Sequence, residues 1–494
     1  MADQSCTLWE STFRRLLAGT CEPSASNVAT NSSEEPLLSQ TPTAPATGVH
    51  LKRTLGTPAL LIFGLAYMLP LAVFTSYGYA TQAAAGHLAG AYVITTVAML
   101  FTAYSYANMV KEYPVAGSAY TYTQKAFGSH VGFMTGWALL LDYLLLPILS
   151  YILIGQYMNA VLPAIPFWVW VVVAVLLVTF LNFVGINLVT NVNLALVGAQ
   201  IVFIVIFVIS SIGYITGNPH TIGLFDPFFG PGADLPHLAA GGAILALAFL
   251  GFDAVSTLSE EAREPKKTIP RAIILTTLAG GVIFTVCAWV AGLVFPDYAH
   301  LSASAPTLDL MHRAGGILLG GLFTAAFVAG SFAAAMTSQV SVSRILYSMG
   351  RDGMLPSRVF GVLHKRFKTP FLAIIIVGIL GLVALFIDIN WVFQMINFGA
   401  LIAFSFVNLS VIKTYMFDKK QRGGAAVVKY IIAPAIGFAL TIWLWTSLPA
   451  LAFEIGGAWV VIGFIYLLAL TRGFHRKPPV MDFSEEEPIL EASA

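Results

Sequence analysis

Twelve apolar stretches, each close to the length of a bilayer crossing, run through this 494-residue chain and constrain its fold more than any other feature. A helix needs about 20 apolar residues to cross the hydrocarbon. Inside it, every backbone N–H and C=O must be satisfied within the protein, and a helix does this within one segment. By that ruler the spans lie near 55–79, 91–109, 130–157, 167–187, 192–215, 238–259, 272–295, 314–338, 371–387, 391–415, 430–447 and 455–471. The chain is 57% hydrophobic and 10% charged, against about 25% charged in soluble domains. The expected fold class is therefore all-α integral membrane, with twelve transmembrane helices.

The placement of charge sets the orientation. With the N-terminus inside, 24 of the 25 Lys and Arg residues fall on the cytoplasmic side, and only Arg313 falls opposite. Cytoplasmic loops carry such an excess, so both termini are expected in the cytoplasm. Residues 1–50, rich in Ser, Thr, Pro and Ala, read as a disordered tail with no cleavable signal peptide. In that tail LWESTFRRLLAG offers the alternative of a short amphipathic helix with Trp9, Phe13, Leu16 and Leu17 on one side, and the unstructured reading is favoured over it. Asn31-Ser-Ser is a glycosylation sequon that a cytoplasmic segment would never carry modified. Residues 51–472 form the membrane domain, and 473–494 a polar, acidic cytoplasmic tail. Cys6, Cys21 and Cys287 have no metal-ligand spacing, and the nine histidines are scattered. No metal site, disulfide framework, phosphate loop or nucleophile elbow is expected, and no enzyme.

Spans 1 and 6 share an irregularity. Span 1 carries Gly64 and, at mid-span, Met68-Leu69-Pro70; span 6 carries Gly241-Gly242 and then Phe249-Leu250-Gly251-Phe252-Asp253. Proline removes a backbone donor and clashes with the preceding turn, and glycine is a weak helix former. Interruptions at corresponding places in two halves point to an inverted-repeat transporter with a binding site between broken helices.

Two carboxylates sit inside the spans, Asp142 in GWALLLDYLLLP and Asp253 in AFLGFDAVSTLSEE. An acid at bilayer depth costs about 2.5–3.5 kcal/mol on insertion scales, so it faces a cavity and has a task there. It can hold a cationic solute or exchange a proton each cycle; the alternative is a structural carboxylate bonded to a tyrosine, an amide or the backbone. Tyr67, Tyr143, Phe249 and Phe252 flank these positions as candidate pocket walls for a cation, and Met68, Pro70 and Gly251 as candidate backbone ligands. Packing is the competing reading for each aromatic. Gln200 is a lone amide in span 5 and is expected to hydrogen-bond across helices. Glu260 and Glu261 are expected to pair with Arg263 and Lys266 at the interface, and residues 342–356 to form a basic latch or inner gate with Arg344, Arg351 and Asp352.

The segments GLAYMLPLAVF (64–74), EYPVAGSAYTYTQKAFGSHVGFMTGWALLLDYLLLP (112–147), FLGFDAVSTLSEE (249–261), VSRILYSMGRDGMLP (342–356) and INFGALIAFSFVNLSV (396–411) resemble the amino acid–polyamine–organocation superfamily of secondary transporters, most closely its bacterial putrescine importers. The similarity runs from about Thr54 to Lys477. It implies a 5+5 inverted-repeat (LeuT-like) core, with repeat one near 55–215 and repeat two near 238–415, broken helices 1 and 6, and two extra helices near 430–471. It implies proton-coupled alternating access, with the proton as the only coupling ion and no other cofactor. Met68 to Ala72 stands where the superfamily usually has a Gly-Ser-Gly pattern for a substrate carboxylate, and the departure fits a diamine. Asp142 falls where cationic amino acid transporters of the superfamily carry a Glu-Tyr pair. Asp253 matches an acidic position linked to protonation in some members. Gln200 falls where some proton-coupled relatives have a lysine. Asp142, Asp253 and Gln200 are thus the coupling candidates. The expected substrate is putrescine or another small cationic solute. An amino acid permease, with import or exchange, stays open beside it. A nutrient sensor acting through its tails is a third reading, which solute accumulation in vesicles would remove.

Overall fold

The computed structural model describes residues 53–475 apart from 219–221, 301–305, 352, 447 and 449. Both tails, Cys6, Cys21, Asn31 and Asp352 lie outside the described residues, as do the expectations attached to them. The described part is all-helical, with one isolated bridge between Leu55 and Ala262. Among the described residues eleven helices are long and apolar enough to cross a membrane, and Phe371–Leu385 is a shorter apolar helix at the ninth expected stretch.

The first span is α1 (Thr57–Met68), a 3-10 turn at Ala72–Phe74 and α2 (Tyr77–Ala83). Then come α3 (Leu88–Glu112), α4 (Ser118–Phe127), α5 (Ser129–Val161), α6 (Phe167–Val184) and α7 (Ile186–Gly217). The second half begins with α8 (Leu235–Leu245), continues as 3-10 turns at Ala246–Phe249 and Ala254–Glu261, and proceeds through α9 (Pro265–Val294) and α10 (Pro306–Arg351). The last helices are α11 (Phe371–Gly381), α12 (Ile389–Ile412), α13 (Ala433–Thr446) and α14 (Ala450–Thr471). Asp234 caps α8 by accepting from His237 N at 2.8 Å. That backbone bond, with the His237 ring beside it, holds the Asp234 carboxyl below the usual range.

The two mid-span interruptions have local causes. Pro70 has no backbone N–H to continue the helix, and Leu69 before it leaves the helical conformation at φ 55. In the sixth span the break turns on Gly251 at φ 124, a region open to glycine at little cost. α10 is also bent, at Gly315 and Gly316, near its start.

Two polar contacts tie the frame together. Gln339 of α10 donates through Nε2 to Thr179 Oγ1 on α6 at 3.1 Å and to Ile374 O on α11 at 2.9 Å. Its Oε1 accepts from Asn182 Nδ2 at 3.0 Å. On another face α5 and α14 are joined by reciprocal indole bonds. Trp137 Nε1 donates to Trp459 O at 2.9 Å, and Trp459 Nε1 donates to Trp137 O at 2.8 Å. The rings stack at 4.9 Å. This closeness depends on Gly463, where any side chain would run into the Trp137 indole. Gly463→Val is expected to cost about 1–3 kcal/mol by overpacking and to lower the Tm of the purified protein. An unchanged Tm would show that α14 is free to shift away.

At the end of the bundle that carries Arg263 and Arg344, the chain entering α1 is bonded to the chain leaving the sixth span. Thr54 N and Leu55 N donate to Glu261 O at 2.9 and 3.0 Å, and Arg263 N donates to Leu55 O at 3.0 Å. Beneath this strap Arg344 Nη2 meets Glu261 Oε1 at 2.5 Å, with both side chains 3% exposed. Arg351 pairs with Glu260 at 3.4 Å. The expected partners of the two glutamates are therefore corrected. Arg263 Nε donates to Thr54 O, and the cations that pair with the two glutamates come from α10.

Candidate functional site: a cavity between the interrupted helices

A cavity of about 760 Å³ lies between the two interruptions, α5 and α12. Tyr67, Met68 and Leu69 line it from the first span, and Leu247 and Leu250 from the sixth. Tyr79, 71% exposed, marks its open end. The strap and the Glu261–Arg344 pair close the bundle at the other end. No Asp, Glu, Lys or Arg lines the cavity among the described residues.

Helical spacing connects the cavity to Asp142. Leu146, Leu149, Ser150 and Leu153 of α5 line the wall, and Asp142 lies one turn below on the same face. Asp142 is 1% exposed, and neither of its carboxylate oxygens has a hydrogen-bond partner. Asp253, also buried, differs. Its Oδ2 accepts from Tyr143 Oη at 2.7 Å and its Oδ1 accepts from Gly251 N at 3.2 Å. The Tyr143 ring meets the Tyr67 ring edge-on at 6.0 Å, and the Tyr67 phenol, itself unpartnered, is within electrostatic range of both carboxylates. The Asp142 and Asp253 charges also act on one another. A buried carboxylate with no internal partner is costly to keep unless a cation or a proton joins it.

The structure brings together Tyr67, Met68, Tyr143, Asp142, Asp253 and Gly251. A side chain at Gly251 would stand 2.6 Å from Tyr67 Cδ1, so the two breaks interlock. Gly251→Ala, strained at this φ by about 1–3 kcal/mol, is expected to lower both Tm and transport rate. Wild-type values for both would show that the break is not fixed by this glycine. Pro70 shapes the turn behind the wall without lining the cavity.

Phe249 and Phe252 do not wall the cavity. Phe249 packs on Tyr92 and Phe284 at 6.5 and 5.4 Å, and Phe252 on Tyr106 and Phe404 at 5.8 and 5.3 Å. Around Phe249 the cavity is lined by Ala246, Leu247, Ala248 and Leu250 instead. Gln200 is corrected as well. Its Nε2 donates within α7 to Leu196 O at 3.4 Å, and its Oε1 has no partner. A side chain at Gly330 would strike Gln200 and Leu69 alike, so the amide packs behind the first break. Sequence reasoning missed Gln394 and Asn397 of α12, both on the cavity wall. Their signal was present: two amides three residues apart in an otherwise apolar run share one helix face.

A membrane-embedded helical bundle with a central cavity between interrupted helices defines a solute transporter rather than an enzyme. The chain belongs to the amino acid permease family, whose model matches residues 59–471. It is 38% identical over 438 residues to the low-affinity putrescine importer PlaP of Escherichia coli K12, covering 87% of this chain and 96% of that protein. It is 27% identical to the methylthioribose transporter of Bacillus subtilis, over 87% of this chain and 96% of the relative. It is 28% identical to the branched-chain amino acid permease BcaP of Lactococcus lactis, over 85% and 95%. The protein is thus a multi-pass membrane transporter.

Proposed function

We propose that the protein imports putrescine or a closely related diamine, driven by inward proton movement, across the cell membrane, the inner or plasma membrane of its host. In this reading twelve spans form a 5+5 inverted-repeat core with two added helices, and both termini face the cytoplasm. Alternating access exposes the central cavity first at Tyr79 and then, after the Glu261–Arg344 closure parts, at the basic end. Asp142 takes the ammonium group. Asp253, held by Tyr143 and Gly251, exchanges the proton. Gln200 has no charge to lend and serves as packing behind Leu69.

The observation that carries this reading is the Asp142 carboxylate, buried with both oxygens unpartnered one turn below a cavity without any cationic side chain. The 38% identity to a putrescine importer supports the same substrate class. An amino acid permease is the second reading, favoured by the family match and by the branched-chain permease relatives. Against it, Met68-Leu69-Pro70-Leu71-Ala72 presents bulky residues where an amino acid carboxylate would approach the backbone.

Uptake of labelled putrescine into proteoliposomes under an imposed inward proton gradient separates the two. Accumulation that collapses with a protonophore and resists excess amino acids supports the diamine importer. Absence of putrescine uptake, or its displacement by an amino acid, moves the chain to the permease reading.

A further inference from the structure

The cavity has one acid beneath it and, higher on the α12 wall, two amides with no other assignment. Gln394 and Asn397 lie three residues apart on α12, so they share a face. Both side chains are half-buried at the cavity wall, and neither makes a hydrogen bond among the described residues.

Their height above Asp142 follows from the packing of α12 on α5. A side chain at Gly399 would stand 2.6 Å from Ala138 O and 3.0 Å from Asp142 N, so the helices touch at the level of Asp142. At about 1.5 Å rise per residue, Asn397 lies about 3 Å and Gln394 about 7.5 Å along α12 from that level. The cavity wall on α5 extends the same way, through Leu146 and Leu149. Measured along the helix axes, the acid and the amides are thus separated by about the length of a short alkyl chain, with Leu146 and Leu149 on the α5 wall over that stretch.

We infer that Gln394 and Asn397 receive the far ammonium of a linear diamine whose near ammonium pairs with Asp142, which makes these two amides the gauge of substrate length. This rests on the diamine reading proposed above. Amide oxygens accept from an ammonium without bringing a second charge into the membrane. Ser150 adds lone pairs on the facing wall, since its hydroxyl hydrogen is already donated to Leu146 O. A diamine of three to five carbons spans the gap. A monoamine leaves the amides unanswered, and a longer polyamine pushes a further cation against the apolar wall of Leu247 and Leu250.

The test is competition against labelled putrescine by 1-aminobutane, 1,3-diaminopropane, putrescine and cadaverine, with wild type, Asn397→Leu and Gln394→Met. Binding is followed in parallel by ligand-induced thermal shift of the purified protein. In the wild type, putrescine is expected to bind at least about tenfold better than 1-aminobutane, the worth of a hydrogen bond to a charged group. In the variants that gap should close, by weaker putrescine binding with 1-aminobutane unchanged. If both amines weaken together, or the gap survives in both variants, the gauge is overturned while diamine import stands. If the wild type neither takes up nor binds any amine, the import reading fails and this inference fails with it.

Discussion

Asp142→Asn is expected to end concentrative amine uptake, lowering it at least about a hundredfold, in a protein that still folds. The magnitude follows from removing one member of a buried ion pair, which costs about 3–5 kcal/mol. Folding survives because the carboxylate has no internal hydrogen bond to lose, and an amide of the same shape relieves the burial of a lone charge. Asp253→Asn provides the contrast. Its oxygens accept from Tyr143 and from Gly251 N, so the substitution disturbs a bonded network and should lower the Tm. Uptake in proteoliposomes, paired with thermal unfolding, reads both. Normal putrescine accumulation by Asp142→Asn would remove Asp142 from the binding site. A fall in its Tm as large as that of Asp253→Asn would mean that Asp142 is structural.

The second large effect is expected at the closed end of the bundle. Arg344→Gln leaves Glu261 buried without its cation and should destabilise the protein by about 3–5 kcal/mol. The double variant Glu261→Gln, Arg344→Gln should recover most of that loss, since two neutral amides need no counter-charge. Thermal unfolding of wild type, both single variants and the double variant completes the cycle. A loss in the double variant equal to the sum of the two single losses would show that the two side chains act independently. A wild-type Tm for Arg344→Gln would show that the pair contributes nothing to the closed state.

Much of this arrangement was legible in the residues alone. Length and hydropathy located the spans because a bilayer imposes one ruler on every segment. Pro70 and Gly251 marked the breaks because each has a backbone property that no neighbour can override. Asp142 and Asp253 stood out because charge is rare at membrane depth. What stayed hidden depended on rotation about helix axes. Phe249 and Phe252 were placed on the wall by their nearness to the break, but Leu247 and Leu250 line the cavity there, and the two rings pack into neighbouring aromatics. The partners of Glu260 and Glu261 were sought nearby in sequence, while the fold brings Arg344 and Arg351 from 83 and 91 residues away. The separate states of the two aspartates, one bonded and one bare, are likewise a matter of which side chains converge, and spacing does not encode that.

The hydrogen-bonded strap between Thr54–Leu55 and Glu261–Arg263 has a kinematic consequence. It couples the basic-end halves of two broken helices that are far apart in sequence, much as a crossbar joins two levers. Neither half can swing while the other stays still without parting the three backbone bonds that link them. The pair is therefore constrained to one degree of freedom instead of two, and any opening at that end would displace both halves together.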